Sequence, residues 1–79
     1  MIQVNIKTTS GRKTITTEVT NTPRSVFEEI GLSTAGQNVS LDGQALTVSE
    51  LGDTFESLGV KEGSAITIRC VVKADGANN

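Results

Sequence analysis

Residues 64–72 (SAITIRCVV) constrain the fold more than any other stretch of the chain. Ile66, Ile68, Cys70 and Val72 fall on one side of an extended strand, with Thr67 and Arg69 on the other. Period-two alternation in a β-branched run is the pattern of a half-buried strand. The only comparable strand candidates lie at the opposite end of the chain. A strand this long in a 79-residue protein is expected to be central, with an N-terminal hairpin paired against it.

Residues 2–9 read as the first strand, with Ile2, Val4 and Ile6 inward and Gln3, Asn5 and Lys7 outward. Ser10-Gly11-Arg12 supplies a turn, and 13–20 returns as the second strand with Ile15, Thr17 and Val19 on its apolar side. If Thr17 is buried, its hydroxyl requires a partner. Thr22 then serves as an N-cap and Pro23 as the first residue of a short helix, where its missing N–H costs nothing. Val26 and Ile30 face the sheet, Phe27 flanks them, and Gly31 closes the helix at C′. Asp42-Gly43 is a strong two-residue hairpin signal between a short strand at 38–41 and an edge strand at 44–47. Residues 49–59 are expected to loop, with one helical turn at 54–58, and Lys61-Glu62-Gly63 turns into the last strand.

This order places the last strand parallel beside the first, which requires a crossover that the helix partly supplies. The fold class expected is α+β: a β-grasp roll with a mixed four- to five-stranded sheet gripping one short helix. The domain is expected to cover 1–73, followed by a disordered tail over 74–79. The core must be aliphatic, because the chain has two phenylalanines and neither tryptophan nor tyrosine.

Charge and composition narrow the functions. A net charge of −2 gives no general attraction to nucleic acid or anionic membranes, and neither is expected as a partner. No apolar run approaches the roughly 18 residues of a membrane span, and strand alternation starts at once, without the pattern of a signal peptide. One cysteine excludes an internal disulfide framework and fits a reducing, cytoplasmic setting. Histidine is absent, which removes histidine bases, histidine metal ligands and every Ser-His or Cys-His pair. Cys70 alternates with Ile66 and Ile68 and is expected to be a buried small hydrophobe. Glu28, Glu29, Glu50, Asp53 and Glu56 lack the spacing of a calcium loop and read as a solvated acidic side. No enzyme, metal site or cofactor is expected.

The stretch 4–19 (VNIKTTSGRKTITTEV) resembles the first hairpin of the ubiquitin family, with one extra residue in the turn. Residues 54–68 (TFESLGVKEGSAITI) are similar to that family's one-turn helix, turn and final strand, and 39–46 to its middle hairpin. Residues 25–32 (SVFEEIGL) and 60–69 look more like the bacterial sulfur carriers of thiamine and molybdopterin synthesis. Both resemblances imply the same β-grasp fold, and they imply different chemistry. Those families act through a C-terminal Gly-Gly that is adenylated, and here the matching reach is Lys73-Ala74-Asp75-Gly76 followed by three more residues. Asp75 would crowd a channel shaped for two glycines. The positions matching ubiquitin's apolar docking patch are Thr9, Ser40 and Arg69, all polar or charged, so ordinary ubiquitin receptors are not expected to bind.

Two readings follow. In the first, the chain is a monomeric, non-catalytic ubiquitin-like module that docks a protein partner through a polar, basic open sheet face. That face is expected to hold Lys7, Thr9, Arg12, Ser40, Arg69 and Lys73, with Lys13 joining from the hairpin turn. In the second, the chain is a processed ubiquitin-like or sulfur-carrier protein, activated by an adenylating enzyme at a terminus exposed at Gly76.

Overall fold

A computed structural model describes residues 1–72. Five strands, β1 (Ile2–Thr8), β2 (Gly11–Thr17), β3 (Gln37–Leu41), β4 (Gln44–Leu46) and β5 (Ala65–Val72), form one sheet in the order β2-β1-β5-β3-β4. One helix, α1 (Pro23–Glu29), packs on it. β5 is the central strand, parallel to β1 and antiparallel to β3. The expected boundary at residue 73, the expected terminus at Gly76 and the candidate Lys73 lie outside the described residues.

The alternation of β1 and β5 becomes the core directly. Ile2, Val4, Ile6, Ile66, Ile68 and Cys70 are buried against Val26, Phe27, Val39, Leu51, Phe55 and Val60. Burying an aliphatic or aromatic side chain of this size contributes about 1.5–3 kcal/mol, set against the entropy of ordering the chain. Val72 shares the parity of Cys70 but is 57% exposed, because the strand runs past the end of the core.

Helix α1 is bounded by its own sequence. The Thr22 hydroxyl accepts the Ser25 N–H at 3.1 Å, and Pro23 occupies the first turn. At the other end the Leu32 N–H donates to the Phe27 carbonyl and the Gly31 N–H to the Glu28 carbonyl. That pair is a Schellman closure, which needs the left-handed Gly31 (φ 73°). Gly31 thus stops the helix at seven residues.

Three expectations are corrected. The first hairpin turns through Thr9 and Ser10, so Gly11 and Arg12 already belong to β2, with Thr8 paired to Gly11. The Thr8 hydroxyl closes this turn by accepting the Ser10 N–H and donating to the Gly11 carbonyl. β2 stops at Thr17 rather than 20 because Thr17 lies opposite Ile2, the first residue of β1, and beyond it the Val19 and Asn21 carbonyls accept from the Glu56 and Phe55 N–H groups. Residues 54–58 make a hydrogen-bonded turn, while the helical piece is a 3-10 turn upstream at Glu50–Gly52. A reciprocal pair holds that turn: the Thr47 N–H donates to Glu50 Oε1 at 2.8 Å, and the Glu50 N–H to Thr47 Oγ1 at 3.1 Å. This is a capping box, and Thr47-Val48-Ser49-Glu50 carries its sequence pattern.

Candidate functional site

The side of the sheet away from α1 is open, and cross-strand register decides what it carries. Lys7 lies opposite Arg12 in the β1–β2 ladder and opposite Arg69 in the β1–β5 ladder. Arg69 in turn lies opposite Ser40, and Ser40 opposite Ala45. Residues in register share a face of the pleat. The row Arg12–Lys7–Arg69–Ser40–Ala45 therefore crosses all five strands on the open side. The turn at Asp42 (φ 48°) and Gly43 (φ 86°) fixes the far end of this register, as its Asp-Gly sequence requires.

Three adjacent members of the row are cations. Among the described residues, none of Lys7, Arg12 and Arg69 makes an ion pair or a side-chain hydrogen bond. The neighbouring row differs. There Thr14 Oγ1 donates to Asn5 Oδ1 at 2.8 Å, Asn5 Nδ2 reaches the Ile66 carbonyl, and Asp42 Oδ1 accepts the Thr67 N–H at 2.9 Å. That second row is tied into the fold through Asn5, Thr14 and Asp42. The cationic row leaves its charges to solvent.

Arg69 stands between two clefts. One, of about 300 Å³, is lined by Lys7, Thr8, Thr9, Arg69, Cys70 and Val71. The other, of about 420 Å³, is lined by Ser40, Gly43, Thr67 and Arg69. The fold thus brings together Lys7, Thr9, Arg12, Ser40 and Arg69. Lys13 does not join them: it pairs with Ile6, so it lies on the helix side, where it lines a cleft with Ile30 and Leu32 that Arg12 also borders from the edge strand. Two members of the face escaped the sequence reading. Ala45 was legible from the register that a two-residue Asp-Gly turn imposes. Val71, 44% exposed, follows from the parity of Arg69.

The other candidate chemistries find no support in the geometry. Cys70 is 1% exposed, and burial pushes its thiol up, away from the thiolate. Arg69 is its neighbour in sequence and sits on the opposite face. Glu28 and Glu29 are exposed on α1, and one Glu50 oxygen is engaged by the Thr47 N–H. Among the described residues, no group of three His, Cys, Asp or Glu side chains is placed to hold a metal ion. Among the same residues, no helix is long and apolar enough to cross a membrane.

The sequence matches no protein-family profile and no curated protein. Among solved structures, a ubiquitin-like protein from Trypanosoma brucei superposes with a TM-score of 0.68 over 92% of this chain and 95% of that one. The fold is a ubiquitin-like β-grasp. At 21% identity the likeness carries the fold alone, and function has to be argued from the face itself.

Proposed function

We propose that this β-grasp domain is a non-catalytic protein-interaction module that docks an acidic protein surface on its open sheet face. The observation that carries the reading is the row Arg12–Lys7–Arg69. Like charges directly opposite one another on neighbouring strands destabilise a sheet. Charge needed only for solubility works equally well when scattered. Here three cations occupy consecutive register positions, and no carboxylate of the described residues pairs with them. A partner's carboxylates account for both facts. Such a face steers encounter and sets orientation more than it adds raw affinity, so binding should weaken steeply with salt.

The reading includes a monomer in a cytoplasmic setting, with neither nucleic acid nor membrane as ligand. Single-stranded nucleic acid is bound through stacking aromatics, and both phenylalanines, Phe27 and Phe55, are buried in the core. The test is a pull-down from host lysate with partners identified by mass spectrometry, comparing wild type with Lys7→Glu plus Arg69→Glu. Both positions lie on the open face, so the variant is expected to fold and to lose the partner that wild type captures. Equal capture by a folded variant would overturn the reading.

A further inference from the structure

The spacing of the cationic row carries information about the shape of its partner, on the reading that the open face is the docking surface. Arg12, Lys7 and Arg69 occupy one register position on three adjacent strands, so the row runs across the strands rather than along them. Neighbouring strands lie about 4.8 Å apart, which puts Arg12 and Arg69 about 9.6 Å apart at the backbone. An α-helix rises about 1.5 Å per residue, so one face of it presents positions i, i+4 and i+7 at about 0, 6 and 10.5 Å. An extended strand presents same-face side chains every 6.6–6.8 Å, so three of them span about 13 Å. The row matches the helix repeat and falls short of the strand repeat.

The rest of the row fits a helix lying across the sheet. Beyond Arg69 it continues into Ser40 and Ala45, two small side chains that let a helix settle close to the backbone. Beside it, Val71 offers an exposed apolar contact next to Arg69. Asp42 follows β3 at the hairpin turn, and one of its oxygens is already engaged by the Thr67 N–H.

We infer that the partner presents an acidic α-helix, laid across the strands, with carboxylates at i, i+4 and i+7 over Arg12, Lys7 and Arg69. Residues of that helix beyond the third carboxylate pack on Ser40 and Ala45.

Two synthetic peptides of identical composition test this. One carries glutamates at i, i+4 and i+7 on a helix-forming background, and the other carries them at i, i+2 and i+4. Each is titrated at low salt into the labelled protein and followed by amide chemical shifts and circular dichroism. The helix-spaced peptide is expected to bind about tenfold more tightly, to gain helicity on binding, and to shift the amides of Lys7, Arg12 and Arg69. Equal affinity for the two peptides, tighter binding of the strand-spaced one, or tighter binding of a single-stranded oligouridine overturns the inference. If both peptides bind equally and both are lost with Lys7→Glu plus Arg69→Glu, the docking face stands and the helix falls. If the charge-reversed protein binds the peptides as well as wild type does, the face falls with it.

Discussion

The two faces of β1 and β5 are built from alternate residues of the same strands, and they obey different rules. On the inner face Ile2, Val4, Ile6, Ile66, Ile68 and Cys70 are all nearly inaccessible. Each is there because the sheet has to bury one side against α1. On the outer face Gln3, Asn5, Lys7, Thr67 and Arg69 lie outside the core, so burial does not fix their identity. The outer face also differs along its own length. Around Asn5 it knits into hydrogen bonds with Thr14 and the Ile66 carbonyl, and around Lys7 it does not. A polar surface that closes on itself is explained by the fold. One that sets three cations side by side works against the fold, and on the proposed reading its explanation lies in another molecule.

Substitutions should separate these regimes. The largest effect belongs to the inner face. Ile68→Ala removes a fully buried side chain from the central strand and should cost about 2–5 kcal/mol in urea unfolding. A loss below about 1 kcal/mol would mean that β5 is not the strand the core is built on. An intermediate effect belongs to the one buried polar side chain among the described residues, at the margin of the core. Thr17 is 8% exposed, and its hydroxyl accepts from Asn21 Nδ2 at 2.8 Å. Asn21→Ala should destabilise by about 1–2 kcal/mol, and adding Thr17→Val should restore part of the loss by removing the orphaned hydroxyl. No recovery in the double variant would assign the loss to Asn21's other bond, in which its Oδ1 accepts the Thr22 N–H. The smallest effect on stability, and of opposite sign, belongs to the cationic row.

The inner face was also the more legible one in the sequence. Strict alternation in β1 and β5 placed every core residue of both strands, and Thr22-Pro23 and Gly31 bounded the helix through capping chemistry that acts locally. The misses arose where a long-range contact decides. β2 gives way after Thr17 because its register already stands at the first residue of β1, and Phe55 and Glu56, far along the chain, take the Asn21 and Val19 carbonyls beyond. Val72 has the parity of a core residue, but parity does not say where the core ends. The 3-10 turn at Glu50–Gly52 was written in Thr47 and Glu50, and the helical signal was sought one turn too late. On the candidate face, Lys7 and Arg69 followed from the pairing of the first and last strands, Arg12 from its place at the hairpin turn and Ser40 from the family resemblance. Lys13 did not, because a one-residue difference in where the hairpin turns moves a side chain to the other face. Its parity with Ile15 was the signal that fixed its side.

The central claim is that the row Arg12–Lys7–Arg69 is kept for a partner and not for the fold. Neutralising Lys7 and Arg69 to threonine, the residue type already present at Thr14 and Thr67, tests both halves in one protein. Urea unfolding should show stability unchanged or raised by a few tenths of a kcal/mol, with the gain shrinking as salt screens the wild-type repulsion. Capture of the identified partner should be lost in the same preparation. A folded variant that still captures the partner, or a loss of more than about 1 kcal/mol of stability, would contradict the account.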